Sequence, residues 1–142
     1  MEGVDQILWP VHCVQDTPGS DFAPGWDRTK VHKIIHKGTD KFIDSYSTFF
    51  DNGHRKETGL DLFLKKYKIK DVYVAGLATD YCVKFSAIDA CKLGYNVNVV
   101  FEGCRGVNLK PGDSENAFDD MRHAGAHVIH LTDALSRLGE TE

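Results

Sequence analysis

The stretch Asp71–Ala90, DVYVAGLATDYCVKFSAIDA, constrains this chain more than any other. Val72, Tyr73, Val74 and Ala75 form a short apolar run rich in strand formers, and Gly76 closes it. Beyond the turn, Val83, Ala87, Ala90 and Cys91 share one helical stripe, and Thr79 or Asp80 is expected to cap that helix. The stretch therefore predicts a buried strand, a sharp turn and a helix. Cys82 falls in the first helical turn, on roughly the opposite face from Cys91. Unsatisfied backbone N–H groups and the positive end of the helix dipole favour thiolate over thiol there. From this stretch alone, Cys82 reads either as a buried structural cysteine or as a nucleophile. Cys91, on the apolar stripe, is expected in the core.

The flanking segments extend the pattern. Leu8–Pro24 carries three of the four prolines and brings Trp9, His12 and Cys13 close together. It predicts an ordered loop, the kind of segment where sites tend to sit, with Cys13 packed beside His12. Lys33–Gly38, KIIHKG, predicts a short strand with Lys37 near its carboxyl end. Asp40–Asn52 predicts an irregular loop with one helical turn, and Gly59–Tyr67 a short amphipathic helix. Downstream, Gly94 ends the helix after Cys82. Then follow a strand over Asn96–Gly103, a turn at Cys104–Gly106, a helix over Pro111–Gly125, a strand over His127–Leu131 and a short helix over Asp133–Leu138.

This order is an α/β order and implies a parallel sheet covered by helices. Ligands bind such sheets at the carboxyl ends of the strands. Lys37, Cys82, and the group Glu102, Cys104 and Arg105 are all expected on that edge. A lysine beside the cysteine would stabilise its thiolate and strengthens the nucleophile reading.

Composition narrows the partners. The chain has 142 residues and a formal net charge of −4, with no basic block, so nucleic acid is not an expected partner. No apolar run is long enough to span a membrane, and MEGVDQILWP lacks the basic start and apolar centre of a signal peptide. The four cysteines form no CxxC pair. A reduced, cytoplasmic chain is expected.

Four segments carry a family resemblance: LWPVHCVQDTPG (Leu8–Gly19), HKGTDKFIDSYSTFFDNG (His36–Gly53), GLATDYCVKFSAIDACKLGYNVNV (Gly76–Val99) and EGCRGVN (Glu102–Asn108). Together they resemble the bacterial nicotinamidase/pyrazinamidase family of isochorismatase-like cysteine hydrolases. The resemblance implies a three-layer α/β/α fold with a parallel sheet. It implies hydrolysis of nicotinamide, and of pyrazinamide, to the acid and ammonia through a cysteine thioester, in NAD recycling. By motif, Cys82 matches the family nucleophile and Lys37 its catalytic lysine. The backbone N–H groups of Ala78 and Cys82 match the oxyanion hole, with a cis peptide between Leu77 and Ala78. Trp9 and Tyr46 match aromatic positions flanking the pyridine ring. His12 matches one ligand of a divalent metal, zinc or similar.

The family pattern also holds parts with no counterpart in this sequence. These are a catalytic aspartate in a DxQ-type motif and an Asp-x-His pair of metal ligands, all upstream of the position of Met1. Residues 1–142 are therefore expected to be one isochorismatase-like domain that resembles the carboxyl-terminal two-thirds of such an enzyme. Two other readings stand beside nicotinamidase. One is a different isochorismatase-like amide hydrolase. The other is a remnant without activity that associates through an unpaired sheet edge, and association into homo-oligomers stays open.

Overall fold

A computed structural model describes Gln6–Gly139. The chain separates into two compact units, one ending at Ile34 and the other beginning at Ile35. The first is built of turns, with a short 3₁₀ segment at Pro18–Ser20. Side chains close these turns: Thr17 Oγ1 donates to the Val14 carbonyl at 2.6 Å, and Asp27 Oδ1 accepts from both Thr29 N and Thr29 Oγ1. This is the ordered loop that the proline-rich sequence predicts. Cys13, however, is exposed in a turn at φ +46°, because a segment made of turns offers no apolar face to pack against.

The second unit holds the regular elements: α1 (Leu60–Lys66), β1 (Asp71–Leu77), α2 (Lys84–Lys92), β2 (Asn96–Arg105), α3 (Asp113–His123), β3 (His127–Ile129) and α4 (Leu131–Gly139). The three strands form one parallel sheet in the order β1-β2-β3. Alternation along β2 sorts its side chains to two faces. Val97 and Val99 join Val83, Ala87, Ala90, Phe118 and Met121 in the main core, under α2 and α3. Asn98 accepts from Arg137 of α4 at 2.9 Å, and Val100 packs with Ile129 and Ala134. Helices thus cover both faces, as the three-layer expectation requires. Gly103 permits the close approach of β1 to β2, since a Cβ there would stand 3.0 Å from that of Ala75.

Two expected elements are absent. Residues 33–38 form no strand, and residues 40–52 form no helical turn. Among the described residues β1 pairs with β2 alone, so no neighbouring strand takes up the N–H and C=O groups of Lys33–Gly38, and an extended segment without a ladder partner is not a strand. Over 43–51 the chain bends, at 43 and again at 47–49, and folds back so that Asn52 N donates to the Asp44 carbonyl at 2.8 Å. Ile43, Ser45, Ser47, Phe49 and Asp51 are buried and their intervening neighbours are not. Ser45 Oγ donates to the carbonyls of Ser47 and Phe50, and Phe49 N donates to Ser47 Oγ, so local side chains satisfy backbone groups that a helical turn would have paired.

Candidate active site

At the carboxyl end of β1 the chain passes through a cis peptide between Leu77 and Ala78. It then forms one π-helical turn, Thr79–Val83, that leads into α2. The Ala78 carbonyl accepts from Tyr81 N at 3.1 Å and from Val83 N at 3.0 Å. Thr79, Asp80 and Val83 are buried, while Cys82 is half-buried and free. Neither Thr79 nor Asp80 caps the helix, contrary to expectation. The residue before the turn is Ala78, with no side-chain cap bond, and Asp80 turns to the loop after β2.

Cys82 and Lys37 line one cleft of about 350 Å³ beside β1, together with Thr48, Phe49, Val74 and Ser86. The Lys37 ammonium donates to the Ser45 carbonyl at 2.6 Å. Thr48 N donates to Ser86 Oγ at 2.9 Å, which ties the segment carrying Lys37 to the helix that follows Cys82. The absent strand therefore does not scatter the two residues. Tyr46 lies outside the cleft lining: its ring stacks on Phe85 at 5.5 Å and meets the edge of Tyr81, next to Cys82, at 5.4 Å. Trp9 and His12 belong to the first unit. Trp9 is half-buried, and His12 is exposed with Nδ1 2.6 Å from the Pro10 carbonyl.

The other cysteines differ from Cys82. Burial pushes the thiols of Cys91 and Cys104 up from their ordinary range, which keeps them protonated. Cys91 packs against the core as expected, and Cys104 is buried with its sulfur 3.3 Å from the Val100 carbonyl. Glu102, expected on the ligand edge, instead binds His130 and the Leu131 N–H at the start of α4.

Residues 3–133 match the family model described as Isochorismatase domain. The chain belongs to this family. Within the Isochorismatase family it is 48% identical over 133 residues to the nicotinamidase of Escherichia coli K12, covering 94% of this chain and 62% of that protein. It thus spans about three-fifths of the length of the curated relatives it matches. Among solved structures, the Acinetobacter baumanii nicotinamidase/pyrazinamidase aligns with a TM-score of 0.86 at 41% identity, covering 91% of this chain and 62% of that one. Yeast nicotinamidase bound to the inhibitor nicotinaldehyde gives 0.83 at 33%, covering 88% and 59%. A pyrazinamidase of Pyrococcus horikoshii in complex with zinc gives 0.75 at 35%, covering 87% and 64%.

The zinc of that last relative prompts a test of the residues present here. Among the described residues no group of three or more His, Cys, Asp or Glu is arranged to hold a metal ion. Zinc sites take three or four protein ligands, and His12 supplies one. The described residues do not fit a complete zinc site. In this member of the Isochorismatase family, sequence reasoning also missed two supports of the cleft. Ser45 holds Lys37 through its carbonyl, and Asp80 holds the Cys82 turn. No sequence signal marks Ser45: the buried positions Ile43, Ser45, Ser47, Phe49 and Asp51 show no apolar alternation, and the contact with Lys37 is made by a main-chain carbonyl.

Proposed function

We propose that this chain carries the nucleophile half of a nicotinamidase, hydrolysing nicotinamide, and pyrazinamide as its analogue, to the acid and ammonia. The placement of Cys82 and Lys37 on one cleft, in a chain 48% identical to a nicotinamidase, is the observation that supports this most. The Cys82 sulfur attacks the carboxamide carbon and the carbonyl π bond opens. The backbone N–H groups of Ala78 and Cys82 stabilise the resulting oxyanion. The C–N bond then breaks, and the thiol proton leaves with the amine as ammonia. Water adds to the thioester, nicotinate departs and the thiol is restored. Lys37 brings a positive charge to the cleft that Cys82 lines. Tyr46 flanks the pyridine ring in this reading; Trp9 keeps an aromatic ring-binding role and His12 that of one metal ligand on the family resemblance alone, with no step assigned to the metal. The reaction would serve NAD recycling in the cytoplasm.

Ammonia release from nicotinamide, pyrazinamide and a panel of other amides tests the proposal. Turnover is expected with nicotinamide and is lost in Cys82→Ala. Unchanged turnover in that variant removes Cys82 from the mechanism. A preference for another amide favours a different hydrolase of the family. Aggregation or a molten, dye-binding state favours the remnant reading, and a cooperative melt of a monomeric chain speaks against it.

A further inference from the structure

We propose that Asp80 is a positioning residue for Cys82, its carboxylate latching the turn that carries the cysteine to the loop after β2. The inference rests on the reading of Cys82 as nucleophile. Asp80 is 6% exposed, and both its oxygens are engaged. Oδ1 accepts from Val107 N at 2.9 Å and Oδ2 from Asn108 N at 2.7 Å. A buried carboxylate is costly unless hydrogen-bonded, and bonds to an ionised acceptor are stronger than neutral ones. The loop is shaped for this contact. A Cβ at Gly106 would collide with Ser114 Oγ and stand 3.3 Å from Asp80 Oδ1. Asn108, at φ +54°, accepts from Ser114 N through its own side chain at 2.9 Å, carrying the tie on to α3.

The latch matters because of the turn it holds. The bond from Val83 N to the Ala78 carbonyl spans five residues, the π spacing, in place of the α-helical four. If the turn relaxed to α-helical spacing, the Ala78 carbonyl would be taken by Cys82 N–H, one of the two proposed oxyanion donors. The Cys82 side chain would also swing round the helix axis relative to the cleft. Two backbone donors on a carboxylate, 27 and 28 residues away in sequence, oppose that relaxation from the buried side of the turn.

Two variants loosen the latch from opposite ends. Asp80→Asn keeps the shape but replaces one acceptor by a donor. Val107→Pro removes one donor and leaves the carboxylate untouched. In both, amide hydrogen exchange over 79–83 is expected to rise about tenfold or more over wild type. Nicotinaldehyde serves as the chemical probe. The Cys82 sulfur adds to its carbonyl carbon, the C=O π bond opens, the oxygen takes the thiol proton, and nothing leaves. This capture needs the oxyanion donors in place, so its affinity is expected to fall about tenfold or more. Alkylation of Cys82 by iodoacetamide needs no such donors and is expected to stay within about threefold. Unchanged exchange over 79–83 and unchanged nicotinaldehyde affinity in both variants would overturn the latch. If the wild-type chain neither captures nicotinaldehyde nor hydrolyses nicotinamide, the nicotinamidase reading fails. The exchange comparison then decides the latch alone.

Discussion

The two walls of the cleft are held by different means. The Cys82 wall runs from β1 through the π turn into α2, and its buried residues join a core shared with β2 and α3. The Lys37 wall, residues 35–58, sends Phe49 into that core, but its only ladder contact among the described residues is one isolated antiparallel bridge, Phe50 with Glu57, and the rest is held by single backbone bonds such as Asn52 N to the Asp44 carbonyl and by side chains bonded to backbone. Burial of apolar surface is collective, whereas each such hydrogen bond contributes about 1 kcal/mol net. The first wall is therefore expected to unfold with the whole domain, and the second to open by itself.

The largest effect should come from the core beneath the Cys82 wall. Met121 is fully buried in the cluster that holds Val83 and Ala87. Met121→Ala should cost about 2–5 kcal/mol, since the packed surroundings close the gap only partly. Urea unfolding measures this, and a cost below about 1 kcal/mol would mean that α3 does not support that wall.

A smaller and more local loss is expected where the walls are joined. Ser86→Ala leaves the Thr48 N–H without its acceptor, at a cost of about 1–3 kcal/mol. Exchange should rise over 43–50 while β2 stays protected. Equal rises in both places would mean that the walls open as one unit, which breaks the contrast.

The same contrast explains what the sequence revealed. The strand, turn and helix around Cys82 were legible because apolar periodicity reports element type: the Val83, Ala87, Ala90 stripe lies in the core as the pattern put it, whereas β1, expected to be buried, is an edge strand of the described sheet with Val72, Tyr73 and Val74 half-buried and Ala75 exposed. The Lys37 wall was not. KIIHKG has strand composition, but a strand exists only where a second chain segment takes its hydrogen bonds, and that is a property of the fold. Residues 43–51 mix aromatic and polar types in a way that fits several local structures, and the outcome depends on which carbonyls Ser45 and Ser47 reach. For the site, motif resemblance named Cys82 and Lys37, and the structure brings both to one cleft. The role of Asp80 was misassigned because a carboxylate at a helix start resembles a cap. Its true partners, Val107 and Asn108, lie far along the chain.

Lys37 sharpens the contrast between holding a wall and performing chemistry on it. Its bond to the Ser45 carbonyl is single and half-buried. Lys37→Met should therefore cost only about 1 kcal/mol in urea unfolding. Under the proposed mechanism the same variant should lower nicotinamide turnover about 100-fold or more. A large stability loss with little change in turnover would make Lys37 a strut of its wall.

The smallest effect lies on neither wall. Glu102 pairs with His130 at 2.8 Å and also accepts from Leu131 N at 2.9 Å, closing the start of α4. The hydrogen bond to Glu102, then its charge, holds His130 above its ordinary 6.5. The hydrogen bond from His130, then backbone N–H donors, holds Glu102 below its ordinary 4.5. The His130 share is complete below its unfolded value and fades as pH rises through the raised folded value. The Glu102 share is complete above its unfolded value and fades as pH falls through the lowered one. Both are present together between about pH 4.5 and 6.5. The melting temperature of His130→Ala should thus fall short of wild type by more near pH 5.5 than near pH 8.5. Both side chains are largely exposed, so 1 M salt should shrink the difference. A gap that ignores both pH and salt would mean that His130 serves α4 by packing on Phe101, 6.2 Å away, and that its charge contributes nothing.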